Sequence, residues 1–290
     1  MQSVLIVGAG FMGSGIAQVC AQTGHRVHLM DVKPEAPEKA IREIHWSLKK
    51  LFSKGIIQEP PETVLERITT AVDLKSATRA DWVIECALEI AELKYDIFQE
   101  LDRLAPVETP LATNTSSIPI TRIAKATRNP ERVLGLHFFG PVPLMGLVEV
   151  VKGEKTSLEI FERGVDFVRS MGKTPVRVQR DIPGFVMNRI FSAAFREAVD
   201  LVAQGVVSVE DVDTGMRLGY GWNAGPFEIA DNAGLDTFLL VTEFMKSMDE
   251  EHLFPNSELI EEMVKQGRVG RKAGKGFYSY TAEGKRIPSK

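Results

Sequence analysis

An α/β fold followed by a helical remainder is the class this sequence predicts, and three observations predict it. The chain opens on an apolar β run, Gln2 to Val7, which leads straight into Gly8-Ala9-Gly10-Phe11-Met12-Gly13 and a helical pattern through Gln22. Short β-branched runs then alternate with helical patterns as far as Val178, as the βαβ units of a mostly parallel sheet require. After Asp181-Ile182-Pro183-Gly184 the pattern is helical to the end. With 290 residues there is room for two domains. The expected division is an N-terminal α/β domain over 1–183 and a C-terminal all-α domain over 184–290.

The first unit carries the clearest chemistry. Gly24 ends its helix, and a second strand, Arg26 to Met30, ends on Asp31. In strand, G-x-G-x-x-G, helix, strand, acid, each glycine has a task. The first makes the tight turn, the second lets the backbone approach a pyrophosphate, and the third packs helix against strand. The helix N-terminus offers N–H groups to phosphate. Asp31 stands where a carboxylate accepts from the hydroxyls of an adenosine ribose. It would repel a 2′-phosphate, so NAD is expected rather than NADP. This is the Rossmann dinucleotide-binding pattern, with Gly8, Gly10, Phe11, Met12, Gly13 and Asp31 at the cofactor.

Pro34 to about Arg67 departs from a short crossover. Ile41, Ile44, Leu48, Leu51 and Phe52 recur at helical spacing, Gly55 stops that helix, and Pro60-Pro61 opens another. A helical pair is therefore expected to project from the sheet. Ser47, Lys49, Lys50 and Lys54 decorate its first helix. They suit a solvated face and equally a cradle for a phosphate-bearing substrate tail.

Trp82 to Cys86 is the next expected strand, with Glu85 and Glu89 at its C-terminal end, where open α/β sheets bind ligands. A helix from Ala91 to Leu104 contains Lys94. Strand Pro110 to Thr113 ends in Asn114-Thr115-Ser116-Ser117, which reads either as the N-cap of a helix from Ile118 to Lys125 or as a hydroxyl set against a substrate oxygen. Two further strands, from Val133 and from Leu147, flank a Gly/Pro turn. The first carries His137 beside two phenylalanines, and the second carries Glu149 among valines. Alone, each fits a structural role. Together, a carboxylate on imidazole fixes the tautomer, which is how a general base is built. A helix, Leu158 to Met171, and a strand, Thr174 to Val178, complete this domain.

In the remainder, Phe185 to Gln204 reads as one long helix with Asn188 in its first turn. Ser208 caps another, with Asp211 at its N3 position. Gly219 to Pro226 reads as a long turn. The helix from Leu235 is apolar on more than one side, through Phe238, Leu239, Leu240, Val241 and Phe244. A small helical domain with that much apolar surface is expected to pack on a second copy.

Composition narrows the function. A net charge of -4 argues against a nucleic-acid partner with a broad basic face. Two cysteines, Cys20 and Cys86, suit buried thiols in a reducing compartment. No apolar run reaches membrane-spanning length, and the chain opens on a strand without a leader, so a cytoplasmic location is expected. The five histidines show no metal-ligand spacing, and no metal is expected.

The assembled motifs resemble the 3-hydroxyacyl-CoA dehydrogenases, most closely the bacterial 3-hydroxybutyryl-CoA enzymes. The resemblance spans Gly8 to Ala17, Asn114-Thr115-Ser116-Ser117, His137-Phe138-Phe139, Leu147-Val148-Glu149-Val150, Pro183 to Arg189 and Gly274-Lys275-Gly276-Phe277-Tyr278. It implies His137 as base and Glu149 as its partner, with Ser116 and Asn188 on the substrate. For NAD it implies the glycine loop, Asp31, Glu89, Lys94, Ser116 and Lys272. For coenzyme A it implies Ser47 and Lys54. It also implies a Rossmann domain with a helical dimerisation domain, an acyl-CoA substrate and a homodimer. One position departs: the family usually has Asn after the two phenylalanines, and here stands Gly140. Two rival readings are a dehydrogenase of a free 3-hydroxyacid and a non-catalytic NAD-binding protein of the lens-crystallin kind. The first uses a lysine on the interdomain helix, and Phe185 to Gln204 has none. The second has no need of an intact His137, Glu149, Ser116 and Asn188 set.

Overall fold

The computed structural model describes residues 1–246 and 258–288. The chain divides into two compact units, Met1–Ile182 and Pro183–Lys290. The first unit is built on β1 (Ser3–Val7), β2 (Arg26–Met30), β3 (Ile68–Ala71), β4 (Trp82–Glu85), β5 (Leu111–Thr113), β6 (Val133–Phe138), β7 (Leu147–Val151) and β8 (Thr174–Val178). They form one eight-stranded sheet in the order β3-β2-β1-β4-β5-β6-β7-β8. The first six run parallel. β7 pairs antiparallel to β6, and β8 parallel to β7. The order reverses between β1 and β4, and that switch point opens a crevice at the strand C-termini.

The helices are α1 (Phe11–Gln22), α2 (Glu35–Ser53), α3 (Pro61–Leu65), α4 (Ala91–Leu104), α5 (Ile120–Ala124) and α6 (Leu158–Ser170). Val4, Leu5 and Ile6 of β1 are all fully buried, as a parallel strand covered on both faces must be. On one face Ile16 and Cys20 of α1 and Phe161, Val165 and Val168 of α6 join Val4, Ile6, Ile84 and Leu136 in a single apolar cluster. Trp82 stacks on Phe167 with ring centroids 4.5 Å apart.

The structure adds one strand, alters one expectation and excludes one of two alternatives in this unit. β3 has no counterpart in the sequence reading: its Thr69 and Thr70 are exposed and only Ile68 and Ala71 are buried, so it lacks the alternation that marks a strand. The helical pair does not simply project, because Ala40, Ile44 and Leu48 of α2 and Val64 of α3 belong to the main core. The 114–117 hydroxyls do not cap a helix from Ile118. That helix, α5, begins at Ile120 with Pro119 at its N-cap and no side-chain cap.

The second unit holds α7 (Met187–Ala203), α8 (Val209–Tyr220), α9 (Pro226–Ala233), α10 (Leu235–Lys246) and α11 (Glu258–Lys265). Phe195, Val199, Phe227, Leu235, Ile260 and Met263 form its core. Ser208 accepts from the Asp211 N–H, as a cap should. Gly219 and Tyr220 belong to α8 rather than to a turn, and Gly221, at φ 72°, ends the helix. The unit is not wholly helical: β9 (Ser279–Tyr280) and β10 (Arg286–Ile287) form a small antiparallel pair. The Gly274 to Tyr278 motif has a structural reason. The buried Asp231 carboxylate accepts from the Phe277 and Tyr278 N–H groups, both at 2.9 Å. A Cβ on Gly276 would lie 2.1 Å from Asp231 Oδ1. The side chain of Phe244 lies outside the described residues.

Candidate active site

The loop after β1 has the shape a dinucleotide needs. Gly8 sits at φ 107°, and any Cβ there would lie 2.6 Å from the Cys86 carbonyl oxygen. A Cβ on Gly13 would strike the Gly8 carbonyl oxygen at 1.8 Å, whereas one on Gly10 would meet nothing within 4 Å. First turn, open approach and close packing are thus divided among the three glycines as the motif demands. The N-terminus of α1 has no side-chain cap and no acidic residue in its first turn. Its N–H groups and positive dipole end suit a pyrophosphate. Asp31 is fixed at the end of β2: its carboxylate accepts from the Ala9 N–H at 2.8 Å and the Lys33 N–H at 3.0 Å. These residues fit NAD.

His137 and Glu149 are direct cross-strand partners in the antiparallel β6–β7 pair, so their side chains share a face. Both are buried. His137 Nδ1 lies 2.7 Å from Glu149 Oε2. A carboxylate only accepts, so Nδ1 carries a proton, and in the neutral imidazole Nε2 then carries the lone pair. The Phe139 ring packs on the imidazole with centroids 4.5 Å apart. Asn114, at the end of β5, accepts from the Phe138 N–H at 2.9 Å, so the two strand ends are locked together. Lys173 holds the intervening turn, donating to the carbonyls of Val142 at 2.7 Å and Met145 at 2.6 Å. Sequence reasoning missed both anchors. Lys173 follows a helix-ending Gly172, where a lysine is unremarkable, and it had no signal to find it by.

Behind the crevice runs a buried polar chain. Lys94 Nζ donates to Glu85 Oε1 at 2.7 Å and to the Ala87 carbonyl at 3.3 Å, and it lies 3.4 Å from Glu89 Oε2. Thr113 donates to the other Glu85 oxygen at 2.7 Å. Burial works against the Lys94 charge, but Glu85 and then Glu89 outweigh it and raise its pKa. Glu89 Oε1 accepts from the Thr115 hydroxyl, from the Ser116 N–H at 3.1 Å and from the Ser117 hydroxyl at 2.9 Å. Burial pushes the Glu89 carboxyl up, yet Lys94 and these donors hold it below the usual glutamate value. Glu89 therefore shapes the loop that carries Ser116. Lys94 lies buried beneath it.

The remaining candidates lie elsewhere. Ser47 is on α2, and Lys54 is its C-cap residue. Asn188 is the second residue of α7. Lys272 pairs with Asp236 at 2.7 Å in the second unit. Gly140 does not have a positive φ. A Cβ built there would lie 2.7 Å from Cε1 of the Phe11 ring, so the glycine makes room for that ring. The cysteines offer no nucleophile: burial pushes the Cys20 thiol up to about 12 and Cys86 well above the usual value. Among the described residues, no group of three or more His, Cys, Asp or Glu side chains is placed to hold a metal, and no helix is long and apolar enough to cross a membrane.

Comparison with known proteins gives a family for both units. Residues 3–182 match the NAD binding domain of 3-hydroxyacyl-CoA dehydrogenase, and residues 184–280 match its C-terminal domain. The chain is 42% identical to a mitochondrial hydroxyacyl-coenzyme A dehydrogenase of Rattus norvegicus, over 97% of this chain and 91% of the relative. It is 41% identical to a probable 3-hydroxybutyryl-CoA dehydrogenase of Bacillus subtilis, over 97% of this chain and 98% of the relative. The crystal structure of the (S)-3-hydroxybutyryl-CoA dehydrogenase of Ralstonia eutropha superposes with a TM-score of 0.89 at 38% identity, covering 97% of this chain and 99% of that one.

Proposed function

The chain belongs to the 3-hydroxyacyl-CoA dehydrogenase family, and from that premise we propose that it interconverts a short-chain 3-hydroxyacyl-CoA and its 3-oxoacyl-CoA with NAD, as 3-hydroxybutyryl-CoA and acetoacetyl-CoA. The observation that carries this reading is the buried 2.7 Å pair of His137 and Glu149. Bound NAD supplies the hydride acceptor for the oxidation. His137 takes the proton of the substrate 3-hydroxyl at Nε2. Glu149, already on Nδ1–H, stabilises the imidazolium that forms, as the carboxylate of a triad does. Ser116, from the loop that Glu89 holds, and Asn188 hydrogen-bond the substrate oxygens and orient the reacting carbon. In the reverse direction the imidazolium returns the proton to the carbonyl oxygen.

The cofactor contacts we assign are the N–H groups of Gly8 to Gly13 with the Phe11 and Met12 side chains, Asp31 on the ribose, Glu89, Ser116 and Lys272. Lys94 acts through Glu85 and Glu89. Ser47 and Lys54 of α2 receive coenzyme A. Apolar residues on the second unit, among them Ile190, Leu218, Tyr220 and Leu240, are exposed, and a homodimer covers them. The two free cysteines suit a reducing compartment such as the cytoplasm. Turnover of this substrate class belongs to fatty-acid metabolism.

The test is a turnover panel of 3-oxoacyl-CoA esters, from acetoacetyl upward and including dicarboxylic and cyclic ones, with NADH and NADPH. Reduction of acetoacetyl-CoA with NADH is expected, and Asp31→Ala relaxes the preference for NADH over NADPH. Turnover of the free 3-hydroxyacid alone, or cofactor binding without turnover of any ester, overturns the reading.

A further inference from the structure

The solvent face of α2 carries a feature that neither the core nor the site above uses. The helix buries Pro37, Ala40, Ile44, Leu48 and Leu51. At 100° per residue, Trp46 points to the opposite side, and it is 66% exposed. The Lys50 ammonium lies 4.8 Å from the centre of its ring. Trp46, Lys39, Arg42 and Glu43 line a groove of about 460 Å³ open to solvent. Lys39 and Glu43 stand 3.8 Å apart as an exposed pair. From Arg42 to Lys54 the chain carries four cations, Arg42, Lys49, Lys50 and Lys54, against the single carboxylate of Glu43, although the whole protein has a net charge of -4. Ser47 and Lys54 are two turns apart on one side of the helix, Lys50 lies between them, and Trp46 is one turn from Lys50.

An exposed aromatic plate beside concentrated positive charge is the arrangement that receives a purine nucleotide. The base stacks on the indole, and the phosphates lie against the ammonium and guanidinium groups. A bare phosphate has no use for the plate, and an apolar protein surface has no use for the cations. We propose that Trp46 is the stacking plate for the adenine of the acyl-CoA substrate, with Lys50 and Arg42 taking the phosphates of the same nucleotide. The assignment rests on the acyl-CoA reading above. It makes Trp46 a specificity residue, which separates coenzyme A esters from thioesters of the same acyl group that lack the nucleotide.

The experiment compares acetoacetyl-CoA with acetoacetyl-pantetheine as substrates of the full chain, with NADH, in wild type and in Trp46→Ala, Trp46→Phe and Lys50→Met. Loss of one base-stacking contact raises the KM of Trp46→Ala for the coenzyme A ester about tenfold, with kcat kept, as for a group that binds ground and transition state alike. The KM for the pantetheine thioester does not follow it. Trp46→Phe recovers most of the loss. Lys50→Met acts on acetoacetyl-CoA but not on its 3′-dephospho form if it is the 3′-phosphate that Lys50 holds, and on both if it is the diphosphate. Calorimetric titration with 3′-phosphoadenosine 5′-diphosphate gives a readout independent of turnover: wild type binds it and Trp46→Ala binds it more weakly. Equal KM changes on both thioesters, or equal binding of the nucleotide by wild type and Trp46→Ala, overturns the proposal and leaves the acyl-CoA reading standing. If wild type reduces no thioester, the acyl-CoA reading fails, and nucleotide binding still decides whether Trp46 is a stacking plate.

Discussion

His137 and Glu149 stand opposite each other because β6 and β7 are antiparallel about a Gly/Pro turn, and the base depends on that register. His137→Gln removes the proton acceptor and is expected to lower kcat by about two to four orders of magnitude, with NADH binding nearly intact. Steady-state kinetics beside an NADH titration checks it, and a variant that keeps most of its turnover ends the assignment. This pair was legible in the sequence, because polar residues in apolar strands call for partners. The space around Gly140 was not, since a clash between positions 11 and 140 exists only in three dimensions. Gly140 needs no left-handed backbone, so an asparagine there clashes with the Phe11 ring alone, which is 68% exposed, and makes an ordinary 3.5 Å contact with the Met12 sulfur. The introduced amide side chain and the ring compete for one space. Gly140→Asn is therefore expected to leave NADH affinity and the melting temperature little changed in the wild-type background, and to tighten NADH several-fold in a Phe11→Ala background, relative to Phe11→Ala alone. A double-mutant cycle on NADH binding is expected to show a coupling of about 1 kcal/mol, and strict additivity refutes the competition.

At the scale of elements, periodicity read the long pieces well and the short ones poorly. α2 buries a face at helical spacing, so its pattern is visible in one dimension. β3 is a four-residue edge strand with its two middle threonines exposed. Its pairing with β2, not its own composition, makes it a strand. The 114–117 loop stays open between two readings in the sequence for the same reason. The Thr115 hydroxyl accepts from the Ile118 N–H at 3.0 Å, but the Thr115 and Ser117 hydroxyls also bond to Glu89, which is distant in sequence. That anchor titrates. The fold holds the Glu89 pKa below the ordinary glutamate value, so its contribution to stability is present above that ordinary value and is lost as pH falls through the folded one. Thermal melts of wild type and Glu89→Gln are expected to differ most near neutrality and to converge as pH falls below the ordinary glutamate value and through the lowered one. Asp102, also held low, gives both proteins the same background slope. Parallel curves across that range mean Glu89 does not anchor the loop as a carboxylate.

For the whole molecule, the strongest signal beyond the glycine loop was the change from alternating strands and helices to helices alone. The second unit then leaves large apolar side chains in water: Leu218 is 84% exposed and Leu240 67%. Leu218 stands in the last turn of α8 and Leu240 in the middle of α10. Among the described residues, neither belongs to the core around Phe195 and Phe227. The proposed cover is a second copy, since a two-fold interface brings the same patch from each chain together. A stable interface of this kind buries about 1,200–2,000 Å² in total. Sedimentation equilibrium is expected to give twice the 32.1 kDa chain mass. A melting temperature that rises with protein concentration is the thermodynamic mark of the same association. Leu218→Lys with Leu240→Lys puts two charges per chain into the patch and is expected to shift the protein toward monomer. Binding of NADH should survive the change, because the glycine loop and Asp31 belong to the first unit. A wild-type protein that sediments as a monomer and melts at one temperature at every concentration removes the dimer from the reading. Wild-type turnover of acetoacetyl-CoA is measured separately and stands or falls without it.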